Sequence, residues 1–76
     1  MNKTHLRILR DCITGSTVRE LSIEYEESDE FIRWVCEYTG RMVSLKNKTL
    51  GKFSMTNVRE RKSSWLDVID ELLERK

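Results

Sequence analysis

The apolar positions at the start of the chain recur at helical spacing. Leu6, Ile8, Leu9, Cys12 and Ile13 fall in one arc at 100° per residue, with Arg7, Arg10 and Asp11 opposite. This predicts an amphipathic helix from Thr4 to about Ile13, closed by Thr14-Gly15-Ser16. Thr17-Val18-Arg19-Glu20 then fits a capping box, in which hydroxyl and carboxylate each satisfy a free backbone N–H, so a second helix is expected from Thr17. Val18, Leu21 and Tyr25 share its apolar face; Ile23 does not and is a candidate contact residue. After the polar break Glu26-Glu27-Ser28, Ser28 caps a third helix over roughly Asp29 to Thr39, with Asp29 and Glu30 in its positive first turn. Phe31, Ile32, Val35, Cys36 and Tyr38 form a wide apolar face with Trp34 on its flank, and Gly40 reads as the stop.

From Arg41 the period shortens to two. Val43 and Leu45 alternate with Ser44 and Lys46, and Phe53 and Met55 alternate with Lys52, Ser54 and Thr56. These predict two short strands joined by Asn47-Lys48-Thr49-Leu50-Gly51, a hairpin with a basic tip. The last segment, from Ser63 or Ser64 to Arg75, predicts a helix with Ser64 and Asp67 as a capping box and an earlier start near Asn57 as an alternative. Trp65, Leu66, Val68, Ile69, Leu72 and Leu73 line one face of it. The expected fold is mainly α with a small β-hairpin: three helices, the hairpin, and a C-terminal helix over 64–76 that packs on the body or pairs with a second chain.

Composition bounds the chemistry. At 76 residues, one small domain is expected. No apolar run approaches the roughly 18 residues a membrane helix needs, and MNKTHLRILRDC carries no secretory apolar region, so a cytoplasmic protein is expected. Cys12 and Cys36 stand 24 residues apart and His5 is the only histidine, so Cys and His alone cannot build a four-ligand zinc site. Both cysteines are expected as buried, reduced thiols, and His5 as a surface or capping residue. Gly15, Gly40 and Gly51 stand singly, without a phosphate-cradling loop, and no nucleophile is paired with a base. No catalytic, metal or cofactor site is expected.

The net charge of +1 hides a strong asymmetry. Residues 1–16 carry +2, residues 17–40 carry −5, residues 41–63 carry +6 and residues 64–76 carry −2.

The stretch Thr17 to Val35 resembles the helix-turn-helix of bacterial and phage regulators, and with the hairpin the element order resembles a winged helix. Leu21 and Tyr25 match the apolar anchors of the first helix of that motif. Ser22 matches the small residue where the two helices cross, and Ile32 and Val35 match the buried pair of the second helix. Glu26 stands where the family prefers glycine, and Glu27 where it prefers an apolar residue. The resemblance implies a small double-stranded-DNA-binding protein, a transcriptional regulator. Arg33 would touch bases or backbone, Arg41, Lys46, Lys48 and Lys52 would grip phosphates from the wing, and Arg19 would assist. A homodimer, with Leu72 and Leu73 at its interface, would suit a palindromic site.

The third helix's outer face opposes this, because it offers Arg33 among Asp29, Glu30 and Glu37. The alternative is a protein-binding adaptor or inhibitor of phage type. Its acidic helix pair, with Ile23, Asp29, Glu30 and Trp34, would engage a basic surface of a larger protein such as a polymerase or nuclease.

Overall fold

The computed structural model describes residues 2–75, and among them the regular structure is helical throughout. Five α-helices follow in order: α1 (Lys3–Thr14), α2 (Val18–Glu24), α3 (Asp29–Lys46), α4 (Met55–Glu60) and α5 (Lys62–Glu74), with a single 3₁₀ turn at Lys48–Leu50 between α3 and α4. The molecule is a slab of 32 × 31 × 17 Å.

The first two helices form where the local chemistry places them. The Asn2 side-chain oxygen accepts from the backbone N–H groups of Thr4 and His5 at 2.8 and 3.2 Å, so Asn2 caps α1. Gly15 ends α1 at φ 120°, with the N–H of Ser16 donating to Asp11 O and that of Gly15 to Cys12 O. The Thr17–Glu20 capping box is made in both directions, each bond at 3.1 Å.

Packing is organised around α1, which has two apolar edges. Leu6 and Leu9 join Val43, Leu50, Val58, Trp65 and Ile69 in one core. Ile8 joins Leu21, Ile32, Val35 and Cys36 in a second, with Cys12 packed against it. Thus α1 is wedged between the α2–α3 pair on one side and α5 on the other. Buried apolar surface stabilises at about 25 cal/mol per Å², so these two clusters supply the main driving force.

The expected hairpin is absent, and with it the wing. Residues 42–56 comprise the end of α3, the 3₁₀ turn, a short loop and the start of α4. The alternation of Val43 and Leu45 comes from the two sides of a helix: Val43 continues the buried row Ile32, Val35, Cys36, Thr39, while Leu45 is 67% exposed. Gly40 does not stop α3. It lies buried in mid-helix, and a Cβ there would overlap the Phe53 ring, which also packs edge-on to Trp65 at 5.6 Å. The glycine is a seat for Phe53.

The basic segment after α3 is held by hydrogen bonds across the loop. Ser44 Oγ donates to Gly51 O, Asn57 Nδ2 donates to both Leu50 O and Lys52 O at 2.7 Å, and Arg61 donates to Thr49 O at 2.8 Å. Leu50 is buried beneath it. The expected C-terminal helix over Ser63 or Ser64 to Arg75 is α5, and a separate short helix, α4, precedes it. Ser54 caps α4, Asn57 lies inside it rather than at its start, and α5 begins at Lys62 with no side-chain cap, so Ser64 is an interior residue.

If Gly40 is the seat for Phe53, Gly40→Ala destabilises by about 1–3 kcal/mol through overpacking, although alanine favours helix over glycine. Thermal unfolding checks this: an unchanged or raised midpoint would show that the ring is free to move aside.

Candidate functional site

The α2–α3 junction carries the turn on which the helix-turn-helix resemblance rests. The N–H of Glu27 donates to Ser22 O at 2.9 Å and that of Glu26 to Ile23 O at 3.3 Å. This pair of bonds is the Schellman closure, the same one that ends α1, and it requires a left-handed residue. Glu26 supplies it at φ 55°, where Gly15 does so in α1. Ser22 is buried, its hydroxyl donating to Arg19 O at 2.7 Å. Tyr25 Oη donates to Asp11 Oδ2 at 3.2 Å and ties the turn to α1; burial, and then the Asp11 carboxylate, raise the phenol above its ordinary pKa. The three-residue break thus keeps α3 in place without an apolar residue at Glu27, which is exposed.

The residues assigned to DNA contact are exposed, but no wing gathers them. Arg33 stands on the outer side of α3. Arg41 and Lys46 lie further along the same helix, Lys48 in the 3₁₀ turn, and Lys52 in the loop. Arg19 approaches Asp29 at 3.9 Å; the other five make no ion pair among the described residues. Leu72 and Leu73 are half-buried against the α1–α5 core. Ile23 is 70% exposed and Trp34 53%, while Glu30 is exposed and Asp29 half-buried.

The length of α3 creates a feature the sequence reading missed. With the helix continuing through Gly40, Phe31, Trp34, Tyr38, Met42 and Leu45 form a second apolar stripe, next to the buried row and facing outward. Trp34 and Tyr38 stack with centroids 5.1 Å apart and planes within 3°. Phe31 lies 6.0 Å from Trp34, and the His5 ring of α1 meets both edge-on at 6.1 and 6.2 Å. Beside this ridge runs a groove of about 610 Å³ lined by Asn2, His5, Trp34, Tyr38, Thr39, Met42 and Lys46. The signal was the spacing 31, 34, 38, 42, 45, which becomes visible only when Gly40 is taken as helical.

Two thiols face one another between α1 and α3. The neighbouring Cys36 thiol favours the Cys12 thiolate and lowers Cys12 from its ordinary 9.0 to about 7, against the effect of burial. The same contact, with burial, pushes Cys36 up. Among the described residues no His, Cys, Asp or Glu side chains gather in a group able to hold a metal ion, and no helix is long and apolar enough to cross a membrane. Comparison with protein-family models, curated proteins and solved structures found no match.

Two outcomes test this geometry. A left-handed non-glycine residue costs about 1 kcal/mol or more, so Glu26→Gly should raise the melting temperature by a few degrees, about 4–8 °C per kcal/mol for a domain this small; a fall would refute the turn. Native Cys12 should alkylate with a midpoint near pH 7 while Cys36 stays protected, and Cys36→Ala should move that midpoint toward 9.0. A Cys12 midpoint unmoved by Cys36→Ala would dismiss the pairing.

Proposed function

We propose that this chain is a protein-binding module whose contact surface is the aromatic ridge of α3. The observation that carries this reading is the Trp34–Tyr38 stack, two large rings left 53% and 42% exposed on a rigid helix. Aromatic side chains bury much area for little lost rotamer freedom, and they dominate the energetic centres of protein interfaces. The ridge is contiguous, running on to Met42 and the 67% exposed Leu45, whereas scattered single apolar residues need no explanation. Its flanks are charged: Glu30 and Glu37 toward the N-terminal end, Arg41 and Lys46 toward the other. That is the apolar centre and polar rim of an interface.

A second reading, binding of duplex DNA through α2 and α3, is favoured by one observation: the Schellman turn and buried Ser22 present α3 with Arg33 outward. Against it, the face that would enter a groove carries Glu30, Glu37 and two aromatic rings, and phosphates are attracted by cations.

A photo-crosslinking residue at Tyr38 should give discrete protein adducts in cells of the source organism, while one at Glu74 should give few; equal labelling from both positions would remove the α3 face as the contact surface. In parallel, random duplex DNA titrated at roughly 50 and 200 mM salt should show no strong binding. A salt-sensitive complex abolished by Arg33→Gln would put the DNA reading in its place.

A further inference from the structure

We infer that the partner of the α3 ridge is a second copy of this chain, docked with its own α3 antiparallel about a two-fold axis at Tyr38. This rests on the reading of α3 as a protein-binding face and names the occupant.

The ridge is matched to itself in reverse. Phe31 and Leu45 stand seven residues on either side of Tyr38, and Trp34 and Met42 four. A two-fold axis at Tyr38 places the central stripe against itself in reverse, as an isologous contact demands. Phe31 then meets Leu45 and Trp34 meets Met42, while Glu37 of each copy comes opposite Arg41 of the other, the two lying on one flank of the stripe at 100° per residue. Methionine beside a tryptophan ring is a favourable contact in itself.

Electrostatics select the same arrangement. The N-terminal part of α3 carries Asp29, Glu30 and Glu37 against the single cation Arg33, and the C-terminal part carries Arg41 and Lys46. A parallel pair would set like charges together, whereas an antiparallel pair sets opposite charges together and also opposes the helix dipoles. None of Glu30, Glu37, Arg41 and Lys46 makes an ion pair within the chain among the described residues.

The groove of about 610 Å³ beside the ridge, lined in part by Trp34, Tyr38, Met42 and Lys46, lies along the edge of this contact. The apolar patch of one helix face is on the order of a few hundred Å², so the interface is small and the association weak and reversible. Ile23 and Met55, the other large exposed apolar residues, lie on α2 and at the start of α4, outside the stripe.

Sedimentation equilibrium of the full chain from roughly 1 µM to 1 mM tests this. The expected result is a reversible monomer–dimer equilibrium. Trp34→Ala and Tyr38→Ala should each weaken it about tenfold or more. Glu37→Arg and Arg41→Glu should each weaken it several-fold, through two symmetry-related pairs, and the double variant should recover most of the loss. All four positions are exposed, and circular dichroism confirms that each variant is folded. A chain that stays monomeric throughout, a dimer insensitive to these substitutions, or a double variant weaker than both singles overturns the inference. A monomer that still crosslinks to other proteins from position 38 removes the second copy but leaves the protein-binding reading standing; a monomer that crosslinks to nothing removes both.

Discussion

Everything in this small molecule depends on one short helix having two apolar edges. The twelve residues of α1 supply Leu6 and Leu9 to one core and Ile8 to the other, and no second element spans both so evenly. A slab 17 Å thick has room for little more than two packed helices in depth. Neither the α2–α3 pair nor the C-terminal helices could bury their faces without α1 between them. The polar ties on either side, the part-buried Tyr25 to Asp11 bond and the exposed Arg10 to Asp70 pair at 3.4 Å, serve to set orientation, and the exposed pair is of small worth.

The same constraint explains the unusual length of α3. Its first half must reach the core made with α2, and Val43, near its other end, reaches the core made with α5. A helix that serves two cores along one side keeps its other side free, and eighteen residues give that free side five turns. The loop that follows turns back through Leu50 and Phe53, which plug the core made with α5. Lys48 and Lys52 are therefore carried on a hydrogen-bonded bracket, in a fixed position relative to α4.

Much of this was legible locally. Asn2 aside, the caps of the first three helices are written in adjacent residues: Thr17 with Glu20, Ser28 with the acidic first turn, Gly15 at a left-handed position. Such signals act over three or four residues, so they survive reading in isolation. Gly40 did not, because its role is set by Phe53, thirteen residues further on. Without that partner a glycine after an amphipathic stretch reads as a stop, and the remaining Val43–Leu45 alternation then mimics a strand. Asn57 misled in a similar way: its amide bonds to Leu50 and Lys52 belong to the tertiary structure. The candidate surface was lost with the helix, since the stripe Phe31 to Leu45 exists only if the backbone stays helical across the glycine. Ile23 lies outside, as its place off the apolar face of α2 implied, and Trp34, expected on the flank of the apolar face of α3, is half exposed.

The two indoles divide the molecule between them. Trp65 is wholly enclosed, its Nε1 without a hydrogen-bond partner among the described residues and its ring against Phe53, whereas Trp34 is half open to water and stacked on a phenol. Their emission bands must therefore sit at different wavelengths and respond to different quenchers. Without any label, the chain carries one optical reporter for the integrity of its interior and another for the occupancy of its outer helix.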